Sequence, residues 1–423
     1  MNKNMATITE NLQTIKDSTM AIKQAIIDKG GEVGDLTTYA NAIANLPSGG
    51  GDVNPTAEKN DVTFYDYDGT ILYSYTAEEF LALTEMPRLP RQQGLICQEW
   101  NWSYEDAIEY VAEYGILDVG ATYITDDGKT RLYIRIAAEG RMDVPLYFQQ
   151  TVANGVTIDW GDGSATETLN GTGKVNTTHR YASIGNYMIS LDVAEGCTLT
   201  LGHGTTSTTI VGPTDNYNLV VLNKLYKVEI GSSVVRIDNY AFYKNQSLRH
   251  VTIPNNIKEL GNYIFQQCVS LEFVTYPKNT NTNSNSLNNG CTNLYNISFP
   301  KNMVLTIYIA QHCNLLNSVV LSPLTSILRT NIFTNCYSLS SIVIPQSVTE
   351  VSSGAFSNCY GMAFYDFSRH TAVPTLANTN AFTGIPGDCK IIVPDSLYDT
   401  WIAATNWSTY ASYIIKKTDW DNL

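Results

Sequence analysis

The sequence predicts a mainly β, multidomain protein organised around a repeat solenoid, and three observations lead there. An apolar position recurs at Leu225, Leu248, Leu271, Leu294, Leu316, Leu339 and Met362, spaced 23, 23, 23, 22, 23 and 23 residues apart. Such a period marks a unit that cannot bury its own apolar face, so that stacking neighbours makes the core. The composition, with 27 Tyr and many Asn, Thr and Ser, suits strands and polar turns more than helices. Finally, Asp68-Gly69 and Asp127-Gly128 each stand between apolar or alternating runs, which is a strong hairpin signal.

Within the repeat, each leucine is followed by a short branched or aromatic strand such as Val251-x-Ile253, Val274-x-Tyr276 or Ile342-x-Ile344. A proline closes it at Pro254, Pro277, Pro300 and Pro345, and a pair such as Ala241-Phe242 or Ala355-Phe356 comes later. The unit ends on a cysteine column: Cys268, Cys291, Cys313, Cys336 and Cys359. Five of the eight cysteines thus fall on one repeat position, where they are expected to stack as small apolar residues in a reduced chain. The consensus resembles the BspA-like leucine-rich repeat over about seven units from residue 225. That resemblance implies the shape of residues 195–388 and says little of chemistry.

At 423 residues the chain exceeds one ordinary domain. Its 26 basic against 40 acidic residues give a net charge of −14, which disfavours a nucleic-acid partner. No stretch approaches the ~20 apolar residues of a membrane span, and residues 1–20 lack an apolar leader core, so neither membrane insertion nor export is expected.

Residues 1–47 read as a helical anchor or oligomerisation segment. Ile8, Ile15 and Ile22 fall seven apart, as do Leu12, Thr19 and Ile26, which makes a heptad seam. The Gly-rich linker at 48–55 detaches it, so Ile8, Leu12, Ile15, Ile22 and Ile26 are expected to pair in a coiled-coil homodimer or trimer, or to dock on an assembly. The stretch resembles N-terminal segments of phage tail and fibre proteins.

Residues 56–140 read as a small α+β module. Strands flank Asp68-Gly69, Thr76-x-x-Glu79 is a capping box, and Ser103-x-x-Asp106 opens a second helix ending near Gly115. Tyr123-Ile124 and residues 131–134 are expected to form a hairpin around Asp127-Gly128. Residues 141–194 carry Ile158-Asp159-Trp160-Gly161-Asp162-Gly163-Ser164, then His179-x-Tyr181 and Gly185-x-Tyr187. Together these resemble a PKD domain, which implies a β-sandwich with Trp160 in its core and His179 hydrogen-bonded within the fold. At 389–423, Asp395 is expected to cap a helical pair bearing Trp401, Trp407 and Tyr410, a cover for the last coil.

Catalytic constellations find little support. Asp66-Tyr67-Asp68-Gly69-Thr70 matches the nucleophile motif of haloacid-dehalogenase phosphatases, but a strand follows at once and no βαβ pattern appears. An Asp-Gly hairpin turn explains the residues. Gly171-Thr172-Gly173-Lys174 lacks the other Walker residues, having Thr168 and Val175. His179, His203, His250, His312 and His370 are scattered singly, so no metal, cofactor or enzyme activity is expected. What remains is surface: packing along the rim is the expected role of most solenoid tyrosines, and Tyr276, Tyr295, Tyr337 and Tyr360 are the candidates for a ligand surface, suited to stacking on host-surface glycan or meeting protein. The resemblances together imply a virion structural protein (fibre, decoration or tail-associated) that displays the repeat for adhesion. A bacterial cell-surface adhesin is the alternative.

Overall fold

A computed structural model describes residues 59–423, apart from 140, 207, 213–223, 279–284 and 304. The heptad positions Ile8, Leu12, Ile15, Ile22 and Ile26 and the linker at 48–55 lie outside the described residues. Everything described belongs to one unit, Val53–Leu423. It is mainly β with few, short helices and a repeat solenoid at its centre.

The first module pairs β1 (Val62–Tyr65) with β2 (Ile71–Tyr75) around the Asp68-Gly69 turn. Gly69 adopts φ +83°, where a side chain would be strained, and Asp68 Oδ1 accepts from the Thr70 amide at 3.0 Å. The short helix α1 (Ala77–Leu81) starts on the complete Thr76–Glu79 capping box. Strand β3 (Leu95–Trp100) precedes α2 (Tyr104–Tyr114), capped by the Ser103 hydroxyl and stopped by Gly115 at φ +74°. The last strand, β4 (Leu117–Thr125), lies between β1, to which it is parallel, and β3. Both β1 and β4 are buried along nearly their whole length rather than on alternate residues. Helices cover one face of this sheet and the solenoid covers the other.

The hairpin expected at Asp127-Gly128 does not form. Strand β4 already has a partner on each edge, so β5 (Thr130–Ile136) crosses into a different sheet. The following strands are β6 (Asp143–Gln150), β7 (Val156–Asp159), β8 (Glu167–Thr168), β9 (Gly173–Arg180), β10 (Gly185–Val193) and β11 (Leu199–Leu201). They continue through β12 (Leu225–Glu229) and β13 (Val234–Ile237) to β14 (His250–Thr252) and β15 (Glu259–Leu260). Two five-stranded sheets result, in the orders β12-β5-β10-β7-β8 and β15-β13-β11-β6-β9. The sandwich therefore extends on both sides of 141–194 and takes its edges from the first repeats. One apolar cluster runs from Leu132 and Phe148 through Phe242 and Cys313 to Trp407, so sandwich and solenoid share a core.

Trp160 is buried in that cluster, and His179 stacks on it at 4.6 Å with its Nε2 2.8 Å from Asp162 Oδ2. Burial alone would raise the Asp162 pKa, but hydrogen bonds from the Ser164 side chain and His179, then the Ser164 amide, hold it at about 2. A depressed carboxyl stabilises the fold above its ordinary pKa near 3.8 and loses that contribution as pH falls toward 2. Between pH 4 and 2 the melting temperature of the parent chain should thus fall more steeply than that of Asp162→Asn. Parallel curves in a thermal-melting series would refute this.

The solenoid adds β16 (Phe273–Thr275), β17 (Asn296–Ser298), β18 (Ile327–Leu328), β19 (Ser341–Val343), β20 (Glu350–Val351), β21 (Phe364–Asp366), β22 (Thr375–Leu376), β23 (Lys390–Val393) and β24 (Ile414–Lys416). Equivalent strands pair in parallel, one coil apart, as in β14-β16-β17 and β19-β21-β23-β24. On the opposite side the amides of Phe242, Phe265, Phe333 and Phe356 donate to Ile264, Leu287, Ala355 and Ala381 of the next coil. Two corner positions adopt positive φ: Tyr240, Tyr263, Ser286, Tyr308, Asn331 and Gly354 form one column, and Lys244, Gln267, Gly290, His312, Asn335 and Asn358 the other. Asn358 donates to Asn335 Oδ1 at 2.8 Å, and the Asn335 amide lies 2.9 Å from His312 Nδ1, a polar ladder down that second corner. Each column cysteine is buried, and its thiol donates to a carbonyl of the preceding coil, as Cys291 does to Phe265 at 3.0 Å. Burial raises the pKa of these thiols, which makes them poor nucleophiles.

After β23, α3 (Tyr398–Ala403) and the turn Trp407–Tyr410 place Trp401 and Trp407 over Phe367 and Phe382. The expected helical pair is replaced: the chain returns as β24, parallel to β23, before the short α4 (Lys417–Trp420). Asp395 does not cap the helix, because a tight turn at Asp395–Leu397 precedes it. Its carboxylate instead accepts from the Thr418 amide at 3.1 Å and from the Thr418 hydroxyl.

Candidate functional site

The first module lies along the parallel strands of the early solenoid, and this decides which surface is open. Strand β4 crosses β14, β16 and β17, where Thr252 donates to Ala121 O at 3.1 Å and Ser298 to Asp118 O at 3.1 Å. Gly120 permits the approach, since a Cβ there would sit 2.4 Å from Thr275 Oγ1. Asn101, fully buried, joins the two parts. Its Nδ2 donates to Tyr276 O and Ser298 O at 3.1 Å and to Ser298 Oγ at 2.9 Å, while its Oδ1 accepts from the Gly120 amide at 2.9 Å. Trp102 and Tyr110 donate to the carbonyls of Phe299 and Leu321. Ion pairs rim the contact, among them Lys301 with Asp106 at 2.7 Å and Lys278 with Glu99 at 3.3 Å.

The four tyrosines expected at a ligand surface consequently separate. Tyr276 is wholly interior, stacked on Phe299 at 5.5 Å with its hydroxyl donating to Asn288, and offers no surface. It follows β16 directly with its ring turned into the coil, which the aromatic label alone did not distinguish. Tyr295 is half-buried under the β1–β2 turn, its hydroxyl 3.5 Å from Gly69 O. Tyr337 and Tyr360 are exposed, at 41% and 57%, and stack on one another at 5.4 Å.

Asp66, the phosphatase-like position, is only 4% exposed. Its carboxylate accepts from the Tyr67 amide, Tyr123 Oη and Gln92 Nε2 at 2.7, 2.5 and 2.6 Å, and burial raises its pKa. These bonds tie the hairpin to β4. Among the described residues no group of three or more His, Cys, Asp or Glu is placed to hold a metal ion, and no helix is long and apolar enough to cross a membrane.

A different site emerges where the module, the sandwich and the first repeat meet. A cleft of about 320 Å³ is lined by Tyr67, Asp68 and Tyr123 from the module, Tyr226 through Glu229 of β12 with the following Ile230, and Arg249, His250 and Thr252 at β14. A bulge makes it. The β12–β5 register shifts between Leu225 and Lys227, so Tyr226 and Lys227 both point outward between the buried Leu225 and Val228. The Lys227 ammonium lies 5.0 Å from the Tyr133 ring centroid, 5.9 Å from that of Tyr67 and 2.7 Å from Glu229 Oε1. Glu229 also accepts from the Tyr133 hydroxyl at 2.9 Å, and Arg249 and His250 both reach Glu272, at 3.1 and 3.2 Å. Rings and paired charges in an open cleft suit recognition of a polar, ring-bearing ligand. Sequence reading passed over Lys227, Glu229 and Arg249. The available signal was local: two consecutive outward residues inside Leu225–Val228 break the period-two alternation of a strand.

The repeat region also has a counterpart among known families. Residues 221–327 and 307–398 match the model of the BspA type leucine-rich repeat region, in six copies. The repeat region is thus of the BspA leucine-rich repeat type. No curated protein matches the chain. Among solved structures, a leucine-rich repeat protein from Eubacterium ventriosum is 25% identical, over 37% of this chain and 42% of that one, at a TM-score of 0.33. One from Bacteroides ovatus is 21% identical, over 40% and 49%, at 0.32. A leucine-rich cell surface protein from Faecalibacterium prausnitzii is 18% identical, over 45% and 57%, at 0.30. The chain thus spans about half or less of the first two solved chains. In this chain the first module lies across the solenoid strands, and the solenoid shares its core with the sandwich.

Proposed function

We propose that the chain is an adhesion protein displayed on a bacteriophage virion, as a fibre, decoration or tail-associated component, with the solenoid as its recognition body. The observation that carries the adhesive part is the gathering of Tyr67, Tyr226, Lys227 and Arg249 in an open cleft, while Asp66 and the cysteines are engaged in the fold. Its placement on a virion is supported by the heptad seam Ile8, Leu12, Ile15, Ile22 and Ile26 ahead of a Gly-rich linker. In this reading the segment self-associates as a dimer or trimer and contacts other virion proteins, and the chain works without cofactor or catalysis. A bacterial cell-surface adhesin is the second reading, favoured by the BspA-type repeat itself.

Size-exclusion light scattering of the chain with and without residues 1–50, together with immunogold labelling of purified virions and of whole bacteria, separates the two. The virion reading expects an oligomer that becomes monomeric on truncation, and gold on virions. Monomers in both forms with gold confined to the bacterial surface would select the second.

A further inference from the structure

A second hollow, of about 440 Å³, adjoins the junction cleft and shares Tyr226 and Arg249 with it. Its remaining walls include Arg135, Asn186, Gln246 and Ser270. Arg135 and Asn186 are directly opposed across β5 and β10, on the outward face of the sandwich sheet. Among the described residues no carboxylate lines this hollow, although the chain as a whole carries a charge of −14. The side chain of Arg135 is exposed and makes no ion pair among the described residues, whereas Arg131, Arg180 and Arg236 of the sandwich sheets are paired with acids. Arg249 keeps one edge on Glu272 and is 66% exposed. Two guanidinium groups therefore face one concavity, with a tyrosine ring exposed by the bulge at the border and two side-chain amides beside them.

We propose that this groove binds an acidic oligosaccharide: a carboxylate seated on Arg135 and Arg249, a sugar ring against Tyr226, and the neighbouring ring in the junction cleft. A guanidinium offers a planar fork that matches a carboxylate in two parallel hydrogen bonds, which a hydroxyl cannot reproduce. Asn186 and Gln246 supply both donors and acceptors, the pairing that sugar hydroxyls need. Toward the junction the walls become Tyr67, Leu95 and Val228, flanked by the Lys227–Glu229 pair, which fits a neutral, ring-shaped unit rather than a second anion. The proposal rests on the adhesive reading above and names its ligand class.

The test is calorimetric titration of the full chain with a galacturonate tetramer, with sialyllactose, with neutral galactotetraose and with inorganic phosphate. At least one carboxylated saccharide should bind, with the neutral tetramer weaker by about tenfold or more and phosphate failing to compete. Arg135→Gln, Arg249→Gln and Tyr226→Ala should each weaken that binding by about tenfold, and Arg180→Gln should leave it unchanged. Because Arg135 and Arg249 are exposed, these variants should melt like the parent chain, and Arg135→Lys should restore part of the affinity. Equal binding of acidic and neutral sugars, no binding of either acid, competition by phosphate alone, or indifference to both Arg→Gln changes would overturn the proposal. If the parent chain adheres to host cells and Arg135→Gln adheres equally well, this groove is wrong while the adhesive reading stands; no adhesion by the parent chain removes the reading itself.

Discussion

Asn101→Asp should undock the first module from the solenoid and cost about 3–5 kcal/mol at neutral pH. The amide nitrogen of Asn101 serves three acceptors at once, the carbonyls of Tyr276 and Ser298 and the hydroxyl of Ser298. A carboxylate in its place would turn an acceptor toward two carbonyls in a site with no solvent access. Burial and the surrounding carbonyls would raise the pKa of the new carboxyl, so the damage should be greatest above that pKa and shrink as pH falls and the acid regains a donor. Calorimetry should show residues 59–125 leaving in an earlier transition, with faster hydrogen exchange along β4. A single transition at the parent temperature would show that the interface tolerates the change and that Asn101 is not its hub.

Phe356→Ala should have a comparable effect, about 3–5 kcal/mol, but on the solenoid rather than on the docking. The ring is fully buried between Phe333 at 5.7 Å and Phe382 at 5.6 Å, with Tyr365 edge-on at 4.9 Å. Each coil touches chiefly its neighbours, so a cavity at one rung weakens two interfaces and leaves the next coil uncovered. The Cα positions are held by inter-coil amide bonds such as Phe356 to Ala381, which limits collapse around the hole. Urea unfolding followed by tryptophan fluorescence should show the cap, with Trp401 and Trp407, released first, whereas Phe356→Leu should cost under about 1.5 kcal/mol. Equal costs for the two substitutions would mean that the column relaxes freely.

The features written plainly in the sequence are those whose physics is local or periodic. Capping at Thr76–Glu79 and Ser103, the Asp68-Gly69 turn and the Gly115 stop each follow from a few adjacent residues, and all are present. The leucine, phenylalanine and cysteine columns follow from a period, because residues one coil apart must share an environment. Tyr337 and Tyr360 stack at the surface for the same reason. What only the tertiary structure decided is which edges and faces were still free. Strand β5 left its expected hairpin because both edges of β4 were taken, and that crossing built the sandwich into the first repeat. Docking of the module then covered Tyr295, and packing against Phe299 inside the coil took Tyr276 out of reach. The bulge at Leu225–Lys227 turned Tyr226 and Lys227 outward together, and the open groove arose there rather than on the repeat face that periodicity advertises. Pairing partners, docking and bulges depend on groups far apart in the chain, and no window of neighbouring residues encodes which of several free edges a strand will meet.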